Sequence, residues 1–263
     1  MKKFEFTGET QMWCGYTLRR IRTLVDIPTH CVKKGDLGGW IEKDKNLSHD
    51  GNAWVSGNAR VYGDARVCDD AQVSGDAHVF SCARVFDDAF VCNNAQISGN
   101  AKVYGNAKVY DNAWVNGDAR VFGNARAYGY SWVFGDALVY CNARVYGKAQ
   151  VYGNAQVSGD TRVYGKAWVY CNAWVYSNAR VYGDVWVYDD ARVFGNARVY
   201  GYARVFGDAW VCDEARVYGY ARVCGNTQVC GDAWVCDTER TKLNSSLLPR
   251  QARLKKYCKR RKK

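Results

Sequence analysis

The chain has little of what membrane proteins, disulfide scaffolds and most enzymes need. No run of 18 apolar residues occurs in its 263 positions, so no membrane-spanning helix is expected. The opening Met1-Lys2-Lys3-Phe4-Glu5-Phe6 lacks the apolar stretch of a secretory leader, which predicts a cytoplasmic chain. Histidine occurs only at His30, His49 and His78. No Ser/His/Asp set, metal-ligand cluster or phosphate loop stands out. The sequence therefore assigns no catalytic residue, no metal and no cofactor. Threonine enters the repeat described below only at inward slots, Thr161 and Thr227, which excludes the flat threonine ladders of an ice-binding solenoid.

Cysteine is plentiful, with 12 residues, but no CxxC pair occurs. Most cysteines occupy repeat slots otherwise held by Tyr, Ser or Gly, and they read as reduced structural thiols in a reducing compartment. Cys212, Cys224, Cys230 and Cys236 all take the Tyr slot. Cys212 and Cys230 lie 18 residues apart, which places them on neighbouring coils within reach of a disulfide if oxidised.

The abundant feature is a period of six. Every sixth position from Val55 to Val235 is valine except Ile97 and Ala127, 31 positions in unbroken register. Two residues before each stands Ala, or else Ser131, Thr161, Val185 or Thr227. Such strict periodicity means one short unit stacked on copies of itself. A strand alternates its side chains between two faces, so Val points in and its neighbours point out. Gly followed by Asn or Asp marks a corner, on the expectation that both tolerate positive φ. Three sides close a triangle of 18 residues. The expected fold is all-β: a single-stranded, three-sided parallel β-helix of about ten coils. At a strand spacing of ~4.8 Å it would be a rod ~50 Å long.

Three segments follow: an N-terminal β cap over 1–50, the solenoid over 51–238, and a basic tail over 239–263. Around Phe4–Phe6 and Tyr16–Leu24 two alternating stretches read as hairpin-like strands that cover the open end of the solenoid. Ile41 and Leu47 are six apart but Leu47 and Val55 are eight apart, so the register begins with a two-residue offset. The net charge of +11 sits almost wholly in the tail. Residues 239–263 carry eleven Lys/Arg and one Glu, whereas 51–238 carry 17 basic and 18 acidic side chains. Pro249 could open a short helix there, and the polybasic end is either a solvated terminus or a contact for nucleic acid or an anionic membrane surface.

An aliphatic residue and a small residue at strict period six resemble the hexapeptide repeat of left-handed parallel β-helices, and the left hand is what that resemblance implies. Lys34-Gly35-Asp36-Leu37-Gly38-Gly39-Trp40-Ile41-Glu42, followed by Asn46-Leu47-Ser48 and Asn52-Ala53-Trp54-Val55, is similar to bacterial and prophage proteins labelled polymer-forming or acyltransferase-like. The first label implies a structural or binding role, the second an enzyme with a histidine base. With 31 uninterrupted hexapeptides no inserted loop is expected to fold over a substrate, which favours a non-enzymatic rod. The acyltransferase-like enzyme stays the alternative, and would need a pocket holding His78 or His49.

Sorting by 18 separates the faces. One carries Arg126, Arg144, Arg162, Arg180, Arg198 and Arg216, with Tyr128, Tyr146, Tyr164, Tyr182, Tyr200 and Tyr218 beside them. Its adjoining corner departs from Asn/Asp and holds Lys148 and Lys166. Two readings stay open. Arg and Tyr cover the wall and stabilise each other, or they bind an anionic polymer, an acidic glycan or nucleic acid. A second face carries Trp114, Trp132, Trp168 and Trp186, a candidate surface for homo-oligomer formation.

Overall fold

A computed structural model describes residues 2–237. The fold is an all-β parallel solenoid with an 18-residue spacing, and among the described residues no α-helix occurs. The 31 repeat strands, β4 (Trp54–Val55) to β34 (Trp234–Asp237), fall one to one on the 31 aliphatic slots. Two compact units divide the chain, residues 1–135 and 136–263.

In the first unit, β1 (Phe4–Trp13) and β2 (Tyr16–Thr23) form an antiparallel hairpin turned at Cys14-Gly15, both with positive φ. β3 (Leu37–Ile41) pairs antiparallel with β2 on one side and parallel with Arg60–Val61 on the other. It thus converts a hairpin edge into the first rung of the solenoid. Phe4, Leu18, Ile21 and Trp54 are buried beneath it. The two-residue offset has a direct structural meaning. Ile41 pairs with Val61 and Leu47 with Val67, each 20 residues on, whereas Val55 pairs with Val73 and all later pairs are 18 apart. Asn46, fully buried, absorbs the mismatch. Its side-chain amide donates to Gly63 O (3.1 Å) and Ala65 O (2.8 Å), and its Oδ1 accepts from the Lys43 N–H (2.7 Å).

Among its described residues the second unit is repeat alone. Its valines from Val139 to Val217 are 0% exposed, as are the alanines two residues before them. Val is β-branched and stiff, so it suits a narrow interior lined from three sides. Each buried Val contributes roughly 1.5–3 kcal/mol. Six ordered residues cost more than that, so coils depend on neighbours and ladder hydrogen bonds.

The corner expectation needs correction. Positive φ belongs only to the first corner slot, whether Gly (Gly153, 67°) or another residue (Cys171, 58°; Asp189, 59°). The following Asn or Asp does not take it. Its value lies in the side chain: Asn154 donates to Asn172, Asn172 to Asp190 and Asn196 to Glu214, at 3.0–3.2 Å between coils. Where this ladder is dispensable, Lys or Tyr can occupy the slot without backbone strain.

Candidate functional site

One sheet of the second unit differs from the others. β22 (Arg162–Gly165), β25 (Arg180–Gly183), β28 (Arg198–Gly201) and β31 (Arg216–Gly219) are four residues long, where strands on the other two sides have two. They run in register, Arg162 beside Arg180 beside Arg198 beside Arg216, with Arg144 beside Arg162 at the start. Each of the four ends on a glycine in the first corner slot; Gly183 has φ +88°, and a Cβ there would lie 2.8 Å from the Gly201 carbonyl oxygen.

Along each strand Arg and Tyr point out while Val points in. The tyrosines stack face to face: Tyr146 on Tyr164 at 4.8 Å, Tyr164 on Tyr182 at 4.9 Å, then Tyr182–Tyr200 and Tyr200–Tyr218 at 5.1 Å. Burial in the stack raises the Tyr164 phenol above its ordinary pKa, and the adjoining phenols raise it further. Arg180 and Arg162 oppose the shift. The centroid separations are those of offset-stacked rings, so each ring shields part of the next from water.

The arginines are different. Arg144, Arg162 and Arg180 are exposed, and among the described residues no ion pair or side-chain hydrogen bond engages Arg162, Arg180 or Arg198. Arg216 lies over the Trp234 ring at 4.8 Å. Like charges one strand apart repel, and here nothing neutralises them directly. Beside Arg162, Arg180 and Arg198 the preceding corner brings Asp160, Asn178, Asn196 and Glu214. Together these seven residues line an open groove of about 330 Å³.

This arrangement sorts the residues singled out from sequence. Arg162, Arg180 and Arg198 line the groove. Arg144 and Arg216 continue the row at its two ends. Tyr146, Tyr164, Tyr182, Tyr200 and Tyr218 form the stack on the far side of the arginines. Lys148 and Lys166 stand beyond the tyrosines at the opposite corner, away from the groove, and Lys166 lies 4.0 Å from Asp184. Further along that corner Tyr202 and Tyr220 stack at 5.0 Å and are exposed. Arg126 and Tyr128 belong to the first unit, where Arg126 pairs beside Lys108 and Tyr128 stacks on Tyr110 at 4.8 Å. The sequence reading passed over Asp160, Asn178 and Asn196 because they conform to the usual corner residue, and it noted Glu214 as a departure from Asn/Asp without assigning it to a site. The signal was the 18-residue register, which puts them two residues before each arginine.

The tryptophan surface divides in the same way. Trp114 meets Trp132 edge to face at 5.4 Å in the first unit, and Trp168 stacks on Trp186 at 5.4 Å in the second. Arg204 caps the latter pair, 4.4 Å over the Trp186 ring.

Both repeat-proximal histidines are engaged. His78 Nε2 meets Arg60 Nη1 at 3.2 Å, and Trp13, at the hairpin tip, lies against the imidazole at 5.1 Å. The hairpin, not an inserted loop, thus folds over the wall. Burial and the Arg60 charge hold His78 below its ordinary pKa. His49 accepts the Lys3 backbone N–H at Nδ1 (3.1 Å), directs Nε2 at Asp44 (3.0 Å) and stacks on Phe4. His49 can offer neither ring nitrogen to a substrate proton without breaking these contacts, and His78 is half-buried against Trp13 at the hairpin tip.

Cys212 and Cys230, each just after one of two paired strands with Cα atoms 4.6 Å apart, stack on neighbouring coils as the 18-residue spacing placed them and are joined as a disulfide. Asp213 lies close by. The three side chains would make a metal cluster only with both sulfurs reduced. The basic tail of 239–263 lies outside the described residues. No helix among the described residues is long and apolar enough to cross a membrane.

Six overlapping or separate segments, 53–69, 95–108, 149–165, 155–170, 185–201 and 191–207, match a family model described as the YdcK beta solenoid repeat. The search of curated proteins returned no match. The likeness is therefore to a repeat unit, and it agrees with the stacked coils on which the arginine groove is built.

Proposed function

We propose that the protein is a non-catalytic β-solenoid whose second unit binds an extended anionic ligand along the arginine groove. The observation that carries this reading is the row Arg162, Arg180, Arg198, evenly spaced and without ion-pair partners among the described residues. Guanidinium groups form strong charge-assisted hydrogen bonds to anionic oxygens. A fixed strand scaffold presents them without reorganisation, which limits the entropic cost of binding. The resemblance of the N-terminal segment to bacterial and prophage polymer-forming proteins agrees with a structural or adhesive role. The acyltransferase-like alternative is disfavoured by the engagement of His78 and His49 in packing and hydrogen bonds.

The test is binding to a panel of anionic polymers as a function of salt, with Arg162, Arg180 and Arg198 together changed to Gln. Binding should weaken steeply with added salt and be lost in the triple variant, with thermal stability unchanged or raised because these side chains fill no core and their mutual repulsion is removed. A truncated variant lacking 247–263 separates the tail. Binding that survives the triple change and vanishes with the tail would move the function there. No binding by the intact chain would leave the arginines as wall covering.

A further inference from the structure

We propose that the ligand of the arginine groove is a linear glycan bearing carboxylates, an inference that rests on the anion-binding reading above. The groove is not uniformly basic. Three guanidiniums share it with the carboxylates of Asp160 and Glu214 and the amides of Asn178 and Asn196. Counting charges, three positive and two negative leave only one net positive charge. The groove therefore asks a ligand for two things, anionic oxygens for the guanidiniums and hydroxyl donors for the oxygens of Asp160 and the remaining oxygen of Glu214. Polyphosphate supplies the first and not the second.

A carboxylated glycan meets both demands. Its carboxylates suit the guanidiniums, which bind carboxylate in a two-point fork. Its hydroxyls donate to Asp160 and Glu214 and exchange hydrogen bonds with the amides. Asn196 already donates to Glu214 at 3.1 Å, so the corner ladder is set in place before a ligand arrives.

Spacing favours the same class. Neighbouring arginines are one strand apart, ~4.8 Å. A pyranose in an extended chain advances by close to that distance, so successive sugars can face successive coils.

The experiment uses the full chain and isothermal titration calorimetry with four probes: oligogalacturonate, its fully methyl-esterified form, oligo-thymidylate and inorganic polyphosphate. Arg180→Gln and Asn178→Ala are compared with the parent, and circular dichroism checks that each is folded. Oligogalacturonate should bind, and esterification, which removes the charge but keeps the sugars, should weaken it at least roughly tenfold. Arg180→Gln should weaken it by a similar factor, the scale of one charge-assisted hydrogen bond. Asn178→Ala should weaken the uronate more than either phosphate polymer. Arg180-dependent binding of oligo-thymidylate or polyphosphate, without binding of oligogalacturonate, would overturn the glycan inference and leave the anion-binding reading standing. Uronate binding indifferent to Arg180→Gln would place the glycan elsewhere and overturn it as well. Binding of none of the four would remove both.

Discussion

Trp174 and Val175 are neighbours on one strand of the second unit, and the order of their importance reverses what hydrophobicity alone suggests. Trp174 is the larger residue, but it points out, 42% exposed, with Arg192 5.3 Å from its ring. Val175 is 0% exposed and stacks between Val157 and Val193. Val175→Asp forfeits the burial of one Val, roughly 1.5–3 kcal/mol. It also places a carboxyl where no donor waits, about 2–7 kcal/mol for an uncompensated polar group. The loss should be at least about 4 kcal/mol, a large part of a typical stability of about 5–15 kcal/mol. Trp174→Asp removes a half-covered ring and one exposed cation–π contact worth about 0.5–1 kcal/mol, and should cost about 1–2 kcal/mol in all. Urea unfolding followed by circular dichroism measures both. Repeat proteins can unfold in parts, so midpoints and slopes are compared in one background. A Trp174→Asp loss equal to or larger than that of Val175→Asp would refute the inward assignment of valine.

Other consequences are open to direct measurement. Lys3, buried with its Nζ 3.3 Å from Gly51 O, has its pKa lowered by burial to about 8. Between that value and the unfolded 10.5 the unfolded chain holds more protons, so this group favours folding increasingly as pH rises through the window. NMR of the methylated amine should show titration near 8, and a midpoint near 10.5 would contradict the buried placement. Tyr170, stacked between Tyr152 and Tyr188, has its phenol pushed up to about 12 by burial and then by the adjoining rings. Its stabilising share is complete below pH 10 and is lost as pH climbs toward that value, so tyrosinate absorbance should rise late and together with unfolding. Asn46→Ala strands the buried Ala65 carbonyl, the half-buried Gly63 carbonyl and the Lys43 N–H, and should lower stability by about 2–4 kcal/mol in thermal melts, whereas an exposed ladder residue such as Asn154→Ala should cost under about 1 kcal/mol. Peptide mapping under non-reducing conditions should recover Cys212 linked to Cys230 before any other pair within the chain.

Much of the fold was legible because one constraint repeats. Val at every sixth position leaves no freedom in which side faces in, and the step of two between Leu47 and Val55 announced the 20-residue pairing of the first coil. What was hidden was local chemistry that several residues satisfy equally well. The second corner slot accepts Asn, Asp, Lys or Tyr because its backbone is unstrained, so its occupants did not reveal that the Asn/Asp side chains form ladders between coils. The candidate site was half legible. Period 18 found Arg162, Arg180 and Arg198, but Asp160, Asn178 and Asn196 hid among ordinary corner residues. Lys148 and Lys166 attracted notice by being unusual and proved to face another way. The contact of the hairpin tip with His78 could not be read at all, since it depends on the angle at which a hairpin meets the wall.

The 18-residue register also sets which accidents of replication this gene can survive unchanged. Loss of residues 181–198 would bring Arg216 over Arg180 and leave every ladder in the second unit with its own kind of neighbour. Loss of only 175–180 would keep the hexapeptide frame, and every Val would still point inward. Each later residue would nevertheless move round to the next side, and Arg198 would settle over Trp174. The valine interior counts in sixes and the decorated exterior counts in eighteens. A slip of one hexapeptide could therefore produce a chain that folds well and has lost its groove, a failure visible to a binding assay and invisible to a melting curve.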